Sequence, residues 1–550
     1  MINQSARPSQ KHAVGARTAR WLVLLAAFIC AACGLVYELE LVALGSYLLG
    51  DSVTQASVVL SVMVFAMGIG SLLAKGFTAQ PATSFALVES ALAVVGGLSV
   101  LVLYACFVWL GHYGLALVAV ATLIGVLIGA EIPLLMTLIQ RIRRQDAGRA
   151  AADLFAADYV GALVGGLAFP FLLLPCLGQA TGALLTGAIN AVAGAVVVLW
   201  LFRDEPPRRV RALLWSLCGS VLLLLAVATA LTGAFERAAR QALYGSPVRF
   251  TSQSRYQEVV LTGPAPGGSG GGDGGSRETD PRVPEQRTAA DGYPVREQPA
   301  QAAEALRLYL GGRLAVCGID QAGYYSALVQ PALAGPRLRV LLLGGGDGLA
   351  ARQVLDDPDV RQVTVVEIDP VVLALARTDP VLSRLNGRSL ADPRVSAATA
   401  DAFDWLRTAP VHEQPYDVII ADLPDPGLDQ GREFYTEEFY GLVERMLAPG
   451  GRIAVHAGSV AEHGYWHADA GLRAVGLHTV DYDIPAASAC GGPADWGFIL
   501  AARSAPGLAL PVGVPLPPGL DPAALRLAVT LAATRRPTCA EPPSTLLRPQ

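Results

Sequence analysis

The chain has 550 residues, of which 53% are hydrophobic and 16% are charged, and its formal net charge is −5. This length is enough for two or more domains, and so apolar a composition is unusual for a soluble protein. The negative net charge gives nucleic-acid binding no electrostatic support, so we expect no nucleic-acid partner. The apolar excess lies in the first 235 residues, which indicates a hydrophobic N-terminal domain.

Seven apolar stretches in this part are long enough to cross a bilayer, which takes about 20 residues. They lie near 20–49, 54–74, 84–111, 114–139, 155–175, 180–202 and 211–234. Buried helices in a large soluble core are the alternative, but the very short links between the stretches argue against it. We therefore predict a basic N-terminal tail over 1–19 and, over 20–235, a multi-pass α-helical domain of about seven helices in the cell (inner) membrane, with the lipid bilayer as a partner.

The first stretch contains Glu38 and Glu40, and three further acidic residues lie within the other stretches: Glu89, Glu131 and Asp158. Such groups are costly in lipid and usually face the interior of a helix bundle. Hydrogen bonding between helices and a path or site for a cation are two interpretations that the sequence leaves open. Cys30 and Cys33 form a C-x-x-C pair without a second pair, and we interpret them as small buried residues rather than a redox or zinc site.

A soluble region begins near Ala238. Residues 254–262 and 306–316 alternate between apolar and polar side chains, which predicts a small N-terminal β-hairpin region. The segment between them, 263–300, is rich in Gly, Pro and charge, and we predict a disordered insert.

The strand–helix alternation over 338–502 predicts an α/β, doubly wound parallel sheet of Rossmann-like type. We assign this second domain to 236–505. A Pro-rich C-terminal tail over 506–550 follows, with one short helical pattern.

The most informative segment is 340–369, which consists of a strand, a Gly-rich turn, a helix and a second strand. The turn contains four glycines and one acid: Gly344, Gly345, Gly346, Asp347 and Gly348. Glycine lets a backbone approach a ligand where a Cβ would clash. Glu367 ends the second strand at the spacing at which such units bind ribose hydroxyls. These features predict a nucleoside cofactor, and Asp347 indicates a cationic one.

Two further strands end in acidic residues. Asp401 and Ala402 follow one strand, and the sequence Asp422-Leu423-Pro424-Asp425-Pro426 ends the next. Open α/β sheets bind their ligands at the carboxyl ends of central strands. We therefore expect Asp422 and Asp425 to lie in the site.

Residues 250–502 resemble the spermidine synthases, the polyamine aminopropyltransferases. The resemblance is carried by Ser-Arg-Tyr-Gln at 254–257, GGGDG at 344–348, VEID at 366–369, ADAF at 400–403, DLPDP at 422–426 and EFY at 438–440. The N-terminal half is similar to the membrane domain that is fused to some bacterial members. The resemblance implies a Rossmann-like fold of class I methyltransferase type.

The family's donor is decarboxylated S-adenosylmethionine, and the resemblance implies this molecule as co-substrate, with no metal. Glu367 would bind its ribose, and Asp401 with Ala402 its adenine. Gln257 and Asp347 would hold the aminopropyl arm. The turn glycines Gly344, Gly346 and Gly348 would border the donor. A carboxylate at position 347 would also repel the carboxylate of ordinary S-adenosylmethionine.

The acceptor implied by the resemblance is a small polyamine such as putrescine. Asp422 would be the catalytic residue that positions and deprotonates the attacking amine, while Tyr324 and Asp425 would bind the acceptor. An alkylammonium has a pKa near 10, so it must lose a proton before it attacks. The acceptor side departs from the family pattern, because Tyr325 and Ser326 replace a polar pair. The acceptor's identity is therefore left open.

Two other functions are alternatives: a membrane transporter or sensor that binds a polyamine or nucleoside without turnover, and an S-adenosylmethionine-dependent methyltransferase. The paired Asp422 and Asp425 argue against the first, and Asp347 argues against the second. His463 and His467 are four residues apart, but no third ligand motif accompanies them, so we predict no metal site. Whether the chain forms a homo-oligomer is left open.

Two arguments disagree about the side of the membrane on which the second domain lies. Lys and Arg cluster before the first apolar stretch and after the second, fourth and sixth. The positive-inside rule then places the N-terminus in the cytosol and, after seven crossings, the second domain outside. The donor, however, is made in the cytosol. Glu38 and Glu40 make the overlong first stretch a candidate for a re-entrant segment, so we predict a cytosolic catalytic domain.

Overall fold

The computed structural model describes residues 16–49, 52–142, 147–202, 206–264, 303–409, 414–427, 431–491, 494–511 and 520–549. The chain divides into two compact units, Met1–Gly245 and Ser246–Gln550. Residues 265–300 of the predicted insert and most of the predicted N-terminal tail lie outside the described residues.

The first unit is helical throughout its described part. Its helices are α1 (Ala16–Leu49), α2 (Ser52–Leu73), α3 (Pro81–Ala105), α4 (Tyr113–Ile142), α5 (Ala147–Ala168), α6 (Leu174–Ala195) and α7 (Arg208–Tyr244). Six helical segments among the described residues are long and apolar enough to cross a membrane: Thr18–Leu48, Val53–Phe77, Pro81–Leu110, Tyr113–Gln140, Ala151–Leu201 and Arg208–Tyr244.

The fifth of these segments covers two of the predicted crossings. It is 51 residues long, about 76 Å if fully helical, which exceeds the roughly 30 Å hydrocarbon core of a bilayer. Gly178, at φ 72° and ψ 174°, interrupts the helical backbone within it. The first apolar stretch, in contrast, is one continuous helix of 34 residues. The suggestion of a broken or re-entrant first stretch is therefore wrong for α1.

Close packing in this unit depends on small residues. A Cβ placed at Gly161 or Gly165 of α5 would lie 2.1 Å from the carbonyl oxygen of Phe28 or 2.3 Å from that of Ala32, both on α1. Only glycine allows two helices to approach this closely. The glycines that follow Asp158 in sequence thus form the α1–α5 contact.

The second unit begins with a small antiparallel sheet. Its strands are β1 (Val248–Gln253), β2 (Glu258–Thr262), β3 (Arg307–Leu310) and β4 (Arg313–Cys317), in the order β1-β2-β3-β4. β2 and β3 correspond to the two alternating segments that flank the insert, and they pair from Val259↔Leu310 to Thr262↔Arg307. The region is thus a four-stranded sheet where the sequence predicted a single hairpin.

A seven-stranded sheet with helices on both faces forms the rest of this unit. Its strands are β5 (Arg339–Gly344), β6 (Gln362–Glu367), β7 (Val395–Thr399), β8 (Tyr416–Asp422), β9 (Leu447–His456), β10 (His478–Pro485) and β11 (Asp495–Ala502). The order is β10-β11-β9-β8-β5-β6-β7. Strands β5 to β9 are parallel, whereas β11 is antiparallel to both β9 and β10.

The helices of this unit are α8 (Gln321–Leu333), α9 (Leu349–Leu355), α10 (Pro370–Thr378), α11 (Leu382–Leu385), α12 (Ala402–Thr408), α13 (Glu437–Arg445), α14 (His463–Ala474) and α15 (Pro522–Arg535). Helix α15 forms from the helical pattern in the Pro-rich tail, and Asp521 caps its N-terminus by accepting from the N–H groups of Ala523 and Ala524.

The sequence of β5 explains its central position. Val340 and Leu342 pack into the core on one face of the sheet, and Leu341 and Leu343 into the core on the other. A strand that is buried on both faces has an unbroken apolar sequence, which is typical of parallel sheets. β5 pairs with β6 on one side and with β8 on the other. The order in which strands are added to the sheet therefore changes direction at β5. In such folds, ligands bind at the carboxyl ends of the strands where this change occurs.

Candidate active site

The Gly-rich turn after β5 lies against the end of β8. Gly344 pairs with Asp422 across the two strands, and a Cβ at position 344 would lie 2.0 Å from the Asp422 carbonyl oxygen. Gly344, Gly345 and Gly348 have φ values of +80°, +68° and +80°, which favour glycine. The turn therefore needs glycine both for its backbone conformation and for the contact with β8.

Glu367, the last residue of β6, is held by two backbone donors. Its Oε2 accepts from Gly346 N at 3.0 Å, and its Oε1 accepts from Asp369 N at 2.9 Å. A Cβ at Gly346 would lie 2.4 Å from Glu367 Cγ, so glycine makes room for the side chain. Burial raises the pKa of Glu367 to about 7, although the two N–H donors oppose the shift. The carboxylate is fixed and faces the same edge as the turn.

Asp347 lies inside the turn and is buried. Its Oδ1 accepts from Leu349 N at 2.7 Å, and its Oδ2 accepts from the Tyr325 hydroxyl at 2.8 Å. Burial raises the pKa of Asp347 above its ordinary value, while the two hydrogen bonds lower it. Tyr325, a departure from the family pattern, thus supplies a hydrogen-bond donor to the predicted donor-binding acid.

Asp422, the last residue of β8, accepts a hydrogen bond from the Tyr324 hydroxyl at 2.7 Å through its Oδ1. Burial, together with the negative charge of Asp347, raises the pKa of Asp422 to about 7, against the lowering effect of the Tyr324 bond. The pKa of Tyr324 is itself raised well above its usual range by burial and by Asp422. Tyr324 therefore remains a protonated donor, and Asp422 titrates near neutrality.

Asp425 lies beside a buried histidine that the sequence analysis did not single out. His456 Nε2 is 3.6 Å from Asp425 Oδ1 and has no hydrogen-bond partner. Burial lowers the pKa of His456, whereas Asp425 raises it. The Tyr324 ring packs edge-on against His456 and Trp496, with ring centroids 5.3 and 5.1 Å away. Aromatic rings thus lie beside Asp422 and Asp425, where the sequence predicted acceptor binding.

Gln257 has a different neighbour from the one the sequence suggested. Its Nε2 donates to Asp369 Oδ2 at 3.4 Å, and Ser254 Oγ donates to the same oxygen at 2.8 Å. Gln257 is therefore fixed beside the carboxyl end of β6, near Glu367, and no described hydrogen bond joins it to Asp347.

Asp401 is the N-cap of α12, and its Oδ1 accepts from Asp404 N at 2.9 Å. Ala402, the first residue of α12, is buried. The capping bond uses one carboxylate oxygen, so the other remains available to a ligand. Asp401 follows β7, which pairs with β6, and so it lies at the same sheet edge as Glu367.

Four carboxylates therefore converge on the carboxyl edge of the sheet, from Asp347, Glu367, Asp422 and Asp425. Among the residues that the structure describes, no Lys or Arg forms an ion pair with any of them. Asp347 and Glu367 are buried, whereas Asp422 and Asp425 are half-buried. Buried acids without counter-ions are costly, and a polycationic ligand would offset that cost. A cleft of about 810 Å³ lies elsewhere in this unit, between β1 and α10, away from these acids.

Comparisons with known proteins agree with this chemistry. Residues 328–472 match the family described as "Spermine/spermidine synthase domain". The chain is 52% identical to a protein named polyamine aminopropyltransferase 2 from Streptomyces coelicolor, over 99% of this chain and 95% of that relative. It is 39% identical to a polyamine aminopropyltransferase from Mycobacterium tuberculosis, over 96% and 95% of the two chains. The chain belongs to the polyamine aminopropyltransferase family. It is an enzyme of this kind.

A solved structure, "Crystal Structure of Spermidine Synthase in Complex with Transition State Analogue AdoDATO", matches at 21% identity and a TM-score of 0.37. It covers 51% of this chain and 79% of its own. The candidate site therefore rests on the strand order and the four acids described above and not on this overall match.

A disulfide bond between Cys317 and Cys490 was not predicted for this aminopropyltransferase. It joins the end of β4, four residues before α8, to the loop between β10 and β11. Asp320 Oδ2 accepts from Ala487 N of the same loop at 3.2 Å and from Trp496 Nε1 of β11 at 2.6 Å. These links hold the loop against the segment that carries Tyr324.

His456 could have been found from the sequence, because it ends β9, the strand next to β8, and a polar residue in that position faces the site. The disulfide could not, since its cysteines are 173 positions apart. His463 and His467 both contact Glu541. Among the described residues, that trio is not within the ligand distances of a metal site.

We expect Asp422→Asn to stabilise the ligand-free aminopropyltransferase above neutral pH. The pKa of Asp422 is higher in the folded chain, about 7, than its ordinary value of 3.8. Its ionisation therefore lowers stability as pH rises through that range, whereas Asn carries no such penalty. Each unit of pKa difference is about 1.4 kcal/mol. Calorimetry of the full-length protein in detergent should show a gain of a few kcal/mol at pH 8 and none at pH 4.

The matched control for this measurement is Asp356→Asn, which removes an exposed acid from the end of α9. It should change stability by less than about 0.5 kcal/mol at either pH. Equal effects of both substitutions, or a gain for Asp422→Asn that is independent of pH, would contradict this interpretation.

Proposed function

We propose that this protein is a membrane-anchored aminopropyltransferase that moves an aminopropyl group from decarboxylated S-adenosylmethionine to a diamine such as putrescine and releases 5′-methylthioadenosine. The observation that carries the proposal is the convergence of Asp347, Glu367, Asp422 and Asp425, none of which forms an ion pair with a Lys or Arg among the described residues. Both substrates are cations, and the site supplies fixed negative charge for each of them.

The donor side is assigned by the fixed geometry of two acids. Glu367, held by two N–H groups, has lone pairs left to accept from ribose hydroxyls. Asp347, aligned by Tyr325, faces the same edge and would pair with the ammonium of the aminopropyl arm. Asp401 and Ala402 would bind adenine at the start of α12. Gln257 would support the donor through Asp369.

The reaction would proceed by displacement at carbon. The acceptor nitrogen forms a bond to the methylene carbon beside the sulfonium, the carbon–sulfur bond breaks, and its electron pair remains on sulfur as the thioether of 5′-methylthioadenosine. The nitrogen loses a proton, which Asp422 would accept. A pKa of about 7 makes Asp422 a better base than an ordinary aspartate at neutral pH.

The acceptor side would be built from Tyr324, Asp425 and the neighbouring rings. The hydroxyl of Tyr324 occupies Asp422 Oδ1, which leaves Oδ2 to face the amine. Asp425 would pair with the second ammonium of a diamine, with the rings of His456 and Trp496 around its methylene chain.

The six apolar helical segments support the membrane-anchored part of the proposal, with the lipid bilayer as partner and the cell membrane as location. We further propose that the catalytic unit faces the cytosol, where the donor is made. The Cys317–Cys490 disulfide opposes this placement, because disulfides persist mainly in oxidising compartments. The break at Gly178 opposes the cytosolic placement as well. Two crossings within Ala151–Leu201 make the total number of membrane crossings odd, which puts the catalytic unit on the opposite side from the N-terminus.

We expect the full-length protein to bind decarboxylated S-adenosylmethionine at least roughly 10-fold more tightly than ordinary S-adenosylmethionine, and Asp347→Asn to remove most of this preference. A charged hydrogen bond contributes about 1.5–3 kcal/mol, and the carboxylate of the ordinary molecule would be repelled. Titration calorimetry measures both affinities, with Asp356→Asn as the control. Tighter binding of ordinary S-adenosylmethionine would instead indicate a methyltransferase.

Turnover should depend on the ionisation of Asp422. The pKa of Asp422 is raised, so the residue is protonated below about pH 7 and cannot accept a proton there. We expect kcat/KM to rise with pH to a plateau above about 7, and Asp422→Asn to lower kcat by roughly 100-fold or more while donor affinity is kept. The assay follows release of 5′-methylthioadenosine with putrescine. Equal losses of donor affinity and kcat would assign Asp422 to binding, and absence of product from the wild type would favour a transporter or sensor.

The side of the membrane can be measured directly. Two reporters are fused after Phe235 and at Gln550. A reporter that works only in the periplasm or outside the cell should be inactive at both positions, and a reporter that works only in the cytosol should be active at both. The matched control is a fusion after His112, which lies between α3 and α4 and is expected on the opposite side of the membrane from the N-terminus. Activity of the external reporter at both Phe235 and Gln550 would overturn the cytosolic placement.

A further inference from the structure

We propose that the membrane unit contains a binding site for a divalent transition-metal ion, formed by Cys30, Glu89, Glu131 and Asn190. These residues come from α1, α3, α4 and α6, so four helices meet at one point. One ligand atom each from Cys30, Glu89 and Glu131 lies within 4.8 Å of the other two. All three side chains are buried, with relative exposures of 1%, 1% and 4%.

The polar groups at this point are incompletely satisfied, which indicates a missing ligand. Asn190 Nδ2 donates to Glu89 Oε2 at 2.6 Å, and Cys30 Sγ donates to Glu89 Oε1 at 3.4 Å. Glu131 Oε1 and Asn190 Oδ1 are buried without any hydrogen-bond partner. Asn190 is fully buried, and because both polar atoms of its amide are on one carbon, the orphan oxygen lies at the edge of the same cluster. An unsatisfied buried acceptor costs about 1–3 kcal/mol.

The negative charge of the cluster favours a cationic ligand. Within the part of the chain that the structure describes, no Lys or Arg forms an ion pair with Glu89 or Glu131. Carboxylates inside a membrane are stable only when they are neutralised or paired. Metal binding would release the proton of Cys30, because the thiolate is the ligand form of cysteine. A divalent cation then balances two of the three negative charges, and a proton kept by one of the glutamates would balance the third.

The ligand types select the class of metal. Mg²⁺ and Ca²⁺ prefer six or more oxygen ligands. One sulfur, two carboxylates and an amide oxygen suit a borderline ion with low coordination number, such as Zn²⁺ or Co²⁺. Position 194 of α6 is also adapted to the cluster, since a Cβ there would lie 2.7 Å from the Cβ of Glu89. Cys30 would thus be a ligand, whereas Cys33, whose Sγ contacts the carbonyl of Thr186, would not.

The test uses the full-length protein in detergent, with His463→Ala and His467→Ala introduced to remove the exposed histidine pair. After chelation and gel filtration, the protein is incubated with Zn²⁺ or Co²⁺ in excess Mg²⁺, and bound metal is measured by mass spectrometry. We expect about one Zn²⁺ per chain. Glu131→Gln and Cys30→Ser should each lower the affinity by at least roughly 10-fold. The matched control Cys33→Ser should bind like the parent.

The absorption spectrum of the Co²⁺-loaded parent gives a readout of sulfur ligation in the protein that retains Cys30. Ligation by Cys30 should produce a sulfur-to-cobalt charge-transfer band in the near ultraviolet, and this band should be absent in Cys30→Ser. The proposal would be overturned if the parent retains no Zn²⁺ or Co²⁺, or if Mg²⁺ displaces the bound metal. It would also be overturned if the charge-transfer band is missing, or if Cys33→Ser and Cys30→Ser lose metal affinity equally. The acids would then serve only in hydrogen bonding between helices.

Discussion

The contact between the ends of β5 and β8 is the constraint on which the candidate site depends. Gly344 faces the Asp422 carbonyl so closely that no side chain fits, and this contact fixes the Gly-rich turn next to the last residue of β8. Asp347 in the turn and Asp422 on the strand are consequently close enough for the negative charge of Asp347 to raise the pKa of Asp422. The site's acidity thus follows from backbone packing at one pair of strand ends.

The proposed donor and acceptor sides of the candidate site are held in different ways. On the donor side, backbone N–H groups from Gly346, Leu349 and Asp369 align the carboxylates, so the geometry depends on the main chain. On the acceptor side, side chains from distant segments meet, and the rings of Tyr324 and Trp496 form its wall. Main-chain geometry tolerates little sequence change, whereas a wall of side chains can be rebuilt. This difference explains why the donor motifs match the family more closely than the acceptor motifs.

The sequence was sufficient to predict the parts of this structure that short segments encode. The apolar run of β5, the turn at 344–348 and the acids at 367 and 422 each follow from a local pattern, because strand ends in a parallel sheet share one edge. The insertion of β11 between β9 and β10 and the direction of Gln257 toward Asp369 depend on register between segments far apart in the chain. No local pattern records such register.

The helical first unit illustrates the same limit. Hydropathy located its apolar stretches, but the convergence of residues 30, 89, 131 and 190 requires the relative rotation of four helices, which composition does not encode. The acids were visible in the sequence, whereas their orphan oxygens became evident only from the packing. For the same reason the sequence left hydrogen bonding and cation binding as equal alternatives.

The uncompensated carboxylates at the sheet edge also affect how long the protein persists in a cell. A chain that holds unpaired acids in its core is less stable empty than loaded, and any cation that binds the folded form shifts the folding equilibrium by mass action. Proteolysis removes chains from the unfolded population. The abundance of this protein would therefore follow the concentration of its own substrates, rising when they accumulate and falling when they are depleted, without a separate regulatory element.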